Sequence, residues 1–437
     1  MIKFFIRNLM LSCFLILALQ SCQNIKQNVA NRKISKEITN SELLKNQFTG
    51  FSLFDPTNKE FLCHYNDHLY FTPASNTKIL TAFACLSELG DSIASFTYRQ
   101  EGDTIYLRPM ADPTFLHPEF PVQPAIDLLY QKKLIIKLPA EPIKKYGPGW
   151  AWDDYEYSYQ AERTWMPIYG NSLRIFNDSL NDDVTQLEPR FFTNYTQVQK
   201  ENGSKSYIQR DLQHNIFNAW ISNEVRTYER KIPFTYSNEL LTQLMQDTLQ
   251  TQVSFCDAIP EASDTLFSQP TREVISKMMI PSDNFLAEQL LIQCALIHNE
   301  PNLDDYRVEL QNKWKSFLPD PMRWEDGSGL SRYNLITPRN LVAILNQIYD
   351  QTSWATIQDI FPIGGVSGTL KNYYAAPQPY IYAKTGTLSN NHNLSGYIKT
   401  QSGKILIFSF MNNHHLTSSY TVKMEMERIL LQIRDRY

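Results

Sequence analysis

Near both ends of the chain, short apolar runs bounded by turn residues read as strands, and between them the spacing becomes helical. Gly50–Phe54 and Glu60–Tyr65 flank the turn Asp55-Pro56-Thr57-Asn58 and predict a hairpin. Ile79–Leu89 then reads as a helix stopped by Gly90. From about residue 271 the pattern predicts helices over Arg272–Met279, Phe285–Ile297 and Asp304–Ser316. A further helix starts at Thr337-Pro338, an N-cap followed by a first-turn proline. Tyr380–Leu388, Leu394–Lys399 and Ile405–Met411 form a strand meander, and Val422–Arg434 is a closing amphipathic helix. Two N-terminal and three C-terminal strands predict a five-stranded antiparallel sheet covered by helices, an α+β fold.

Residues 91–270 interrupt this pattern without a repeat or a low-complexity run. They hold strand-like pieces, a polar stretch over 194–215 and a helical pattern over Tyr236–Gln246. The expected organisation is a catalytic domain of residues 46–90 and 271–437, with 91–270 inserted. A chain of 437 residues is too long for one ordinary core. The aromatic and acidic stretch Trp150-Ala151-Trp152-Asp153-Asp154-Tyr155 reads either as the lining of a glycan or peptide cleft or as a domain contact.

The N-terminus reads as a targeting segment. Lys3 and Arg7 precede an apolar run, Leu9–Leu19, that is too short to span a bilayer and fits a signal peptide of residues 1–22. It ends in Leu19-Gln20-Ser21-Cys22, similar to a bacterial lipoprotein box, with Gln20 as the unusual member. Cys22 is therefore the expected lipidation site, with 23–45 as a polar tether and a periplasmic location, on the outer membrane. The alternative is a plain secretory signal.

Composition removes other classes. Hydrophobic residues make up 43% and charged ones 20%, as in a folded globular protein. A net charge of -4 without a basic block argues against nucleic acid as a partner. The six cysteines form no Cys-x-x-Cys pair, and the eight histidines form no His-Glu-x-x-His helix, so no metal site or cofactor is expected. Cys85 and Cys294, in apolar helical stretches, read as buried free thiols.

Three short stretches carry chemistry. Ser75-Asn76-Thr77-Lys78 places a hydroxyl and an amine three residues apart at a helix start. A serine needs a base to become nucleophilic, and a lysine in a dry pocket can lose its proton and serve as one. Ser282-Asp283-Asn284 precedes one apolar helix, and Lys384-Thr385-Gly386-Thr387 follows a strand start. Each is common alone. Together and in this order they are the signature of penicillin-binding proteins and serine β-lactamases.

With more than two hundred positions between Ser75 and Ser282, the chain resembles the S13 peptidases. These are class C low-molecular-mass penicillin-binding proteins acting as D-alanyl-D-alanine carboxypeptidases and endopeptidases. Asp112-Pro113-Thr114, Gly149-Trp150, Asp326-Gly327-Ser328-Gly329-Leu330 and Gly365-Val366-Ser367-Gly368-Thr369 add to the resemblance. It implies that Ser75 is acylated, Lys78 is its base, and Ser282 relays the proton to the leaving amine. Asn284 holds the peptide amide. Lys384 and Thr385 meet the terminal carboxylate, and repulsion from Lys384 keeps Lys78 neutral. Gly386 leaves room for substrate, the N–H groups of Ser75 and Thr387 form the oxyanion hole, and Asp112 is a substrate contact. The implied partners are peptidoglycan stem peptides, β-lactams as inhibitors, and a membrane through the lipid anchor.

Two other readings compete. A class A β-lactamase needs a Glu-x-x-Leu-Asn segment for its deacylating water, which the chain lacks. A class C enzyme would use Tyr236-Ser237-Asn238, read here as the start of a helix. A non-catalytic cell-wall-binding lipoprotein would not need both lysines. The anchor is tested by N-terminal mass analysis: the mature chain is expected to begin at acylated Cys22, and Cys22→Ala to be released in soluble form. A mature N-terminus elsewhere removes the lipoprotein reading.

Overall fold

A computed structural model describes residues 29–177, 185–203, 205–222 and 228–437. The signal segment and Cys22 lie outside the described residues. The chain divides into two compact units, residues 1–76, 318–322 and 335–437, and residues 77–317 and 323–334. This division differs from the expected boundaries at 90 and 271. The helices Lys78–Glu88, Thr271–Met279 and Asn284–Ile297 group with the inserted strands.

The first unit contains the predicted sheet. Its strand order is Ile381–Leu388, Asn391–Lys399, Ile405–Asn413, Phe48–Asp55 and Glu60–Tyr65, antiparallel throughout. The turn at Gln401-Ser402-Gly403 joins two of these strands, with Gly403 in the left-handed region at φ +89°. One core cluster combines Phe51, Leu53, Phe408 and Phe410 of the sheet with Val422, Met426, Ile429, Leu430 and Ile433 of the helix Ser419–Arg436. Thr337 caps the helix Pro338–Gln351 by accepting from the Asn340 N–H at 3.2 Å.

One part of the tether reading is corrected. Residues 29–39 are helical, and Ile34 and Ile38 are wholly buried members of this same core. The polar composition hid two isoleucines four residues apart, enough to form an apolar seam on one helix face. The folded body therefore begins at or before residue 29.

The second unit has its own sheets. A mixed five-stranded sheet runs Gln252–Phe255, Lys133–Ile136, Thr104–Pro109, Ser92–Glu101 and Asp264–Pro270. Two three-stranded sheets accompany it. A core from Phe96 to Leu249 unites them. Ser237 is the N-cap of the helix Asn238–Leu249, accepting from the Leu240 N–H at 3.1 Å. Cys85 and Cys294 are buried free thiols 3.9 Å apart. No helix among the described residues is long and apolar enough to cross a membrane.

If the 29–39 helix is part of the core, Ile34→Ala should cost about 2–5 kcal/mol of unfolding free energy, the range for a buried large-to-small change. Chemical denaturation measures it. An unchanged midpoint would show that this helix detaches without affecting the fold.

Candidate active site

Ser75 sits half-buried in the 3-10 turn Ala74–Thr77, which runs directly into the helix Lys78–Glu88. Ala74, just before it, has φ +49°, an uncommon conformation for a residue with a side chain. The motif residues fall into two groups, one in each compact unit.

In the second unit, Lys78 is fully buried. Its Nζ donates to Asn284 Oδ1 at 2.6 Å and to the Ser328 carbonyl at 2.7 Å. Burial lowers its pKa from 10.5 to about 8, and the nearby carboxyls of Asp283, Asp326 and Glu288 oppose the shift. Desolvation is the largest cause of the shift. Ser282 has φ +70° in the bend before the helix Asn284–Ile297. Asp283 is that helix's N-cap, accepting from the Leu286 N–H at 2.8 Å, and burial raises its carboxyl pKa.

The acceptors around Lys78 are themselves fixed. The Asn284 Nδ2 donates to the Tyr159 carbonyl at 2.9 Å, so both ends of the amide are engaged. One helical turn later, Glu288 accepts from the Ser328 N–H at 2.7 Å and from Arg163 at 2.6 and 2.9 Å. Arg163 and Glu288 are both buried, and the Arg163 guanidinium lies 5.0 Å from the Trp150 ring centroid. Asp326 gathers the N–H groups of Gly329 and Ser331, the Asn334 amide and the Trp150 indole. A Cβ on Gly327 would stand 2.6 Å from the Ala287 carbonyl, so only glycine lets this turn lie against the Asn284 helix.

In the first unit, Lys384, Thr385, Gly386 and Thr387 follow one another on the edge strand Ile381–Leu388. Lys384 is buried, and its Nζ donates to the Thr385 carbonyl at 3.0 Å. Asn76 ties the Ser75 turn to this sheet: its Nδ2 donates to the Lys384 carbonyl at 2.7 Å, and its Oδ1 accepts from Ser395 Oγ at 2.8 Å. Asn393 donates to the Thr72 and Pro73 carbonyls, and Asn413 accepts from the Thr72 N–H. Thr385 Oγ1 donates to Thr369 Oγ1 at 2.8 Å. Thr387 is exposed, and its hydroxyl is 2.8 Å from His392 Nδ1.

Two expected positions gain a structural account. A Cβ on Gly386 would lie 2.3 Å from the Pro73 carbonyl and 2.8 Å from the Asn76 nitrogen. The backbone of the Ser75 turn fills the space on that side of Gly386. Asp112 is buried, and its Oδ1 accepts from the N–H and hydroxyl of Thr114 at 2.8 and 2.7 Å. It closes its own turn, and burial raises its pKa. Among the described residues no hydrogen bond joins it to the Lys78 group.

Sequence reading missed Glu288, Arg163, Asn76 and the Ser328 carbonyl. The available signal for Glu288 was a lone acid, one turn after Asn284, on an otherwise apolar helix. Tyr236, the alternative second-motif residue, belongs to the core of the second unit, with its hydroxyl donating to the Met166 carbonyl at 2.8 Å.

A serine and a buried lysine on one turn, a Ser-x-Asn bend and a Lys-Thr-Gly edge strand define the penicillin-binding class of serine acyl-transfer folds. The profile of the D-Ala-D-Ala carboxypeptidase 3 (S13) family matches residues 30–433, and the chain belongs to that family. It is 31% identical over 158 residues to D-alanyl-D-alanine carboxypeptidase DacB of Haemophilus influenzae, covering 34% of this chain and 33% of that one. That alignment thus spans about a third of the relative's length. A penicillin-sensitive carboxypeptidase A of Dictyostelium discoideum is 22% identical over 408 residues, covering 79% and 78% of the two chains. The crystal structure of penicillin binding protein 4 of H. influenzae shares the fold, with a TM-score of 0.68 at 18% identity over 92% of this chain and 97% of that one. That protein has also been solved with a β-lactam.

The close packing at Gly386 is testable. Gly386→Ala should lower stability by about 1–3 kcal/mol, because the added methyl has nowhere to go. A thermal melt checks this. An unchanged melting temperature with weakened substrate binding would favour the substrate-space reading.

Proposed function

We propose that this protein is a serine D-Ala-D-Ala carboxypeptidase or endopeptidase that hydrolyses D-alanyl bonds of peptidoglycan stem peptides through a Ser75 acyl-enzyme. Its place of action is the periplasm, with Cys22 as the membrane anchor. The observation that carries this reading is the burial of Lys78, which brings its pKa down to about 8 while its amine donates to the Asn284 and Ser328 oxygens. In its neutral form this amine has a lone pair, and it is the base assigned here to the Ser75 hydroxyl.

In the proposed reaction, Ser75 Oγ bonds to the D-alanyl carbonyl carbon while its proton passes to Lys78. Ser282 relays that proton to the departing D-alanine nitrogen as the peptide C–N bond breaks. Water then cleaves the ester and restores the hydroxyl. The N–H groups of Ser75 and Thr387 stabilise the oxyanion, a contribution of roughly 3 kcal/mol in comparable sites. Lys384 and Thr385 attract the terminal carboxylate. β-Lactams would enter by the same attack and remain as stable adducts. The packing of Tyr236 in a hydrophobic core weakens the class C β-lactamase reading.

The test is acylation of the wild-type chain by penicillin, followed by intact mass and as a function of pH. A stable adduct is expected, absent in Ser75→Ala. The acylation rate should rise as pH passes through about 8, where Lys78 becomes neutral. The same shift makes the folded state gain stability from about pH 8 toward 10.5, since only the unfolded chain then holds the proton. Lys78→Ala should abolish the pH inflection, and Lys384→Ala should slow acylation at least about tenfold, or about 1.4 kcal/mol of barrier. Rapid penicillin turnover without an adduct would mean a β-lactamase. Unchanged rates in both lysine variants would overturn the site.

A further inference from the structure

The first unit carries a feature that the proposed chemistry does not use. Between the helix over 29–39 and the helix Ser419–Arg436 lies a groove of about 500 Å³, lined by Lys33, Lys36, Glu37, Asn40, Ser41, Arg428 and Arg436. Four cations face one carboxylate there. Arg428 is already neutralised: it pairs with Glu37 at 2.7 Å and with Glu425 at 2.9 Å. That pairing lowers the pKa of both carboxyls, so they stay ionised and hold Arg428 in place. Asp435 is likewise taken up by Arg434 at 2.6 Å. Among the described residues, Lys33, Lys36 and Arg436 form no ion pair, and all three are exposed. The three cations Lys33, Lys36 and Arg436 exceed the one negative charge left where Glu37 and Glu425 share Arg428, so the groove keeps surplus positive charge.

Its place in the chain gives this charge a target. The helix over 29–39 is held on the core by Ile34 and Ile38, so its exposed face is fixed relative to the first unit. Cys22 precedes residue 29 by only seven residues, which span at most about 25 Å when fully extended. A chain held at Cys22 keeps this rim within that distance of the lipid surface. Basic residues beside a membrane anchor gain energy from anionic headgroups within a Debye length, about 8 Å at physiological ionic strength.

We infer that this groove docks the first unit on the phosphate headgroups of the membrane that carries the anchor. Lys33, Lys36 and Arg436 make the contact, and Arg428 stays paired with Glu37 and Glu425. The orientation it imposes rests on Cys22 as the anchor; the charge contact itself does not.

The test separates the two by using the full Cys22→Ala chain, which carries no acyl group. Co-sedimentation is measured with phosphatidylcholine vesicles and with vesicles containing about one-third phosphatidylglycerol, an anionic fraction that creates a surface potential. Binding is expected only to the anionic vesicles, and it should be lost at high salt. The combined Lys33→Gln, Lys36→Gln and Arg436→Gln variant should bind at least about tenfold more weakly, since each cation near the surface contributes about fivefold, or about 1 kcal/mol. Its melting temperature should match that of the parent. No binding to anionic vesicles, equal binding to both lipids, or full binding by the triple variant would overturn the docking surface. Inorganic phosphate binding in the groove without vesicle binding would make it a soluble-anion site and overturn it as well. An unacylated wild-type chain together with anionic binding by Cys22→Ala would remove the anchor and leave the docking surface standing.

Discussion

The arrangement of the second unit depends on the burial of one amine. An ammonium taken out of water loses several kcal/mol of hydration unless its surroundings replace it. Around Lys78 the replacement includes two neutral carbonyl oxygens, from Asn284 and Ser328. Oxygens without full charge solvate the nitrogen but do not lock a proton onto it. The acids stand one step back and are spent elsewhere: Asp326 on its turn, Glu288 on Arg163 and the Ser328 N–H, and Asp283 on the helix start. A carboxylate bonded directly to Lys78 would push its pKa up and remove the base. The result is an amine that can exchange its proton near neutral pH.

The first unit solves a different problem. There the sheet fixes the backbone that carries Ser75. Asn76, Asn393 and Asn413 are buried amides whose donors and acceptors reach main-chain groups of the 72–76 and Lys384 segments. Side-chain amides suit this task because each can replace a missing ladder partner at the end of regular pairing. Gly386 lets the turn approach the edge strand closely enough for Asn76 to bond with the Lys384 carbonyl.

Legibility in the sequence followed the range of the interaction. The five sheet strands and the helices after residue 271 were readable because periodicity is local and each element has one apolar side. The motifs that contain Ser75, Lys78, Ser282, Asn284 and Lys384 could be picked out because they are short and ordered. The close approach of Pro73 and Asn76 to Gly386, more than three hundred positions away, was not legible because a glycine's need is set by whatever approaches it. The turn that Asp112 closes was not legible because an Asx-type turn and a binding carboxylate leave the same letters. The 29–39 helix was missed because two buried isoleucines in a polar stretch fall below any compositional signal. Arg163 and Glu288 meet across an inserted segment, and no local pattern pairs them.

The inserted region is therefore more than an appended domain. It has its own core, from Phe96 to Leu249, which gives it independent reason to fold. Yet the segment within it over residues 147–165 supplies the Tyr159 carbonyl to Asn284, the Trp150 indole to Asp326 and the Arg163 guanidinium to Glu288. Each of these reaches a group that in turn positions Lys78 or its acceptors. Removing the insertion would leave Glu288 as an unpaired buried carboxylate, a change that costs about 3–5 kcal/mol when one partner of a buried pair is lost. It would also leave one end of the Asn284 amide without its partner. The long interval between the first two motifs thus supplies groups that hold Asn284, Glu288 and Asp326 in place around Lys78.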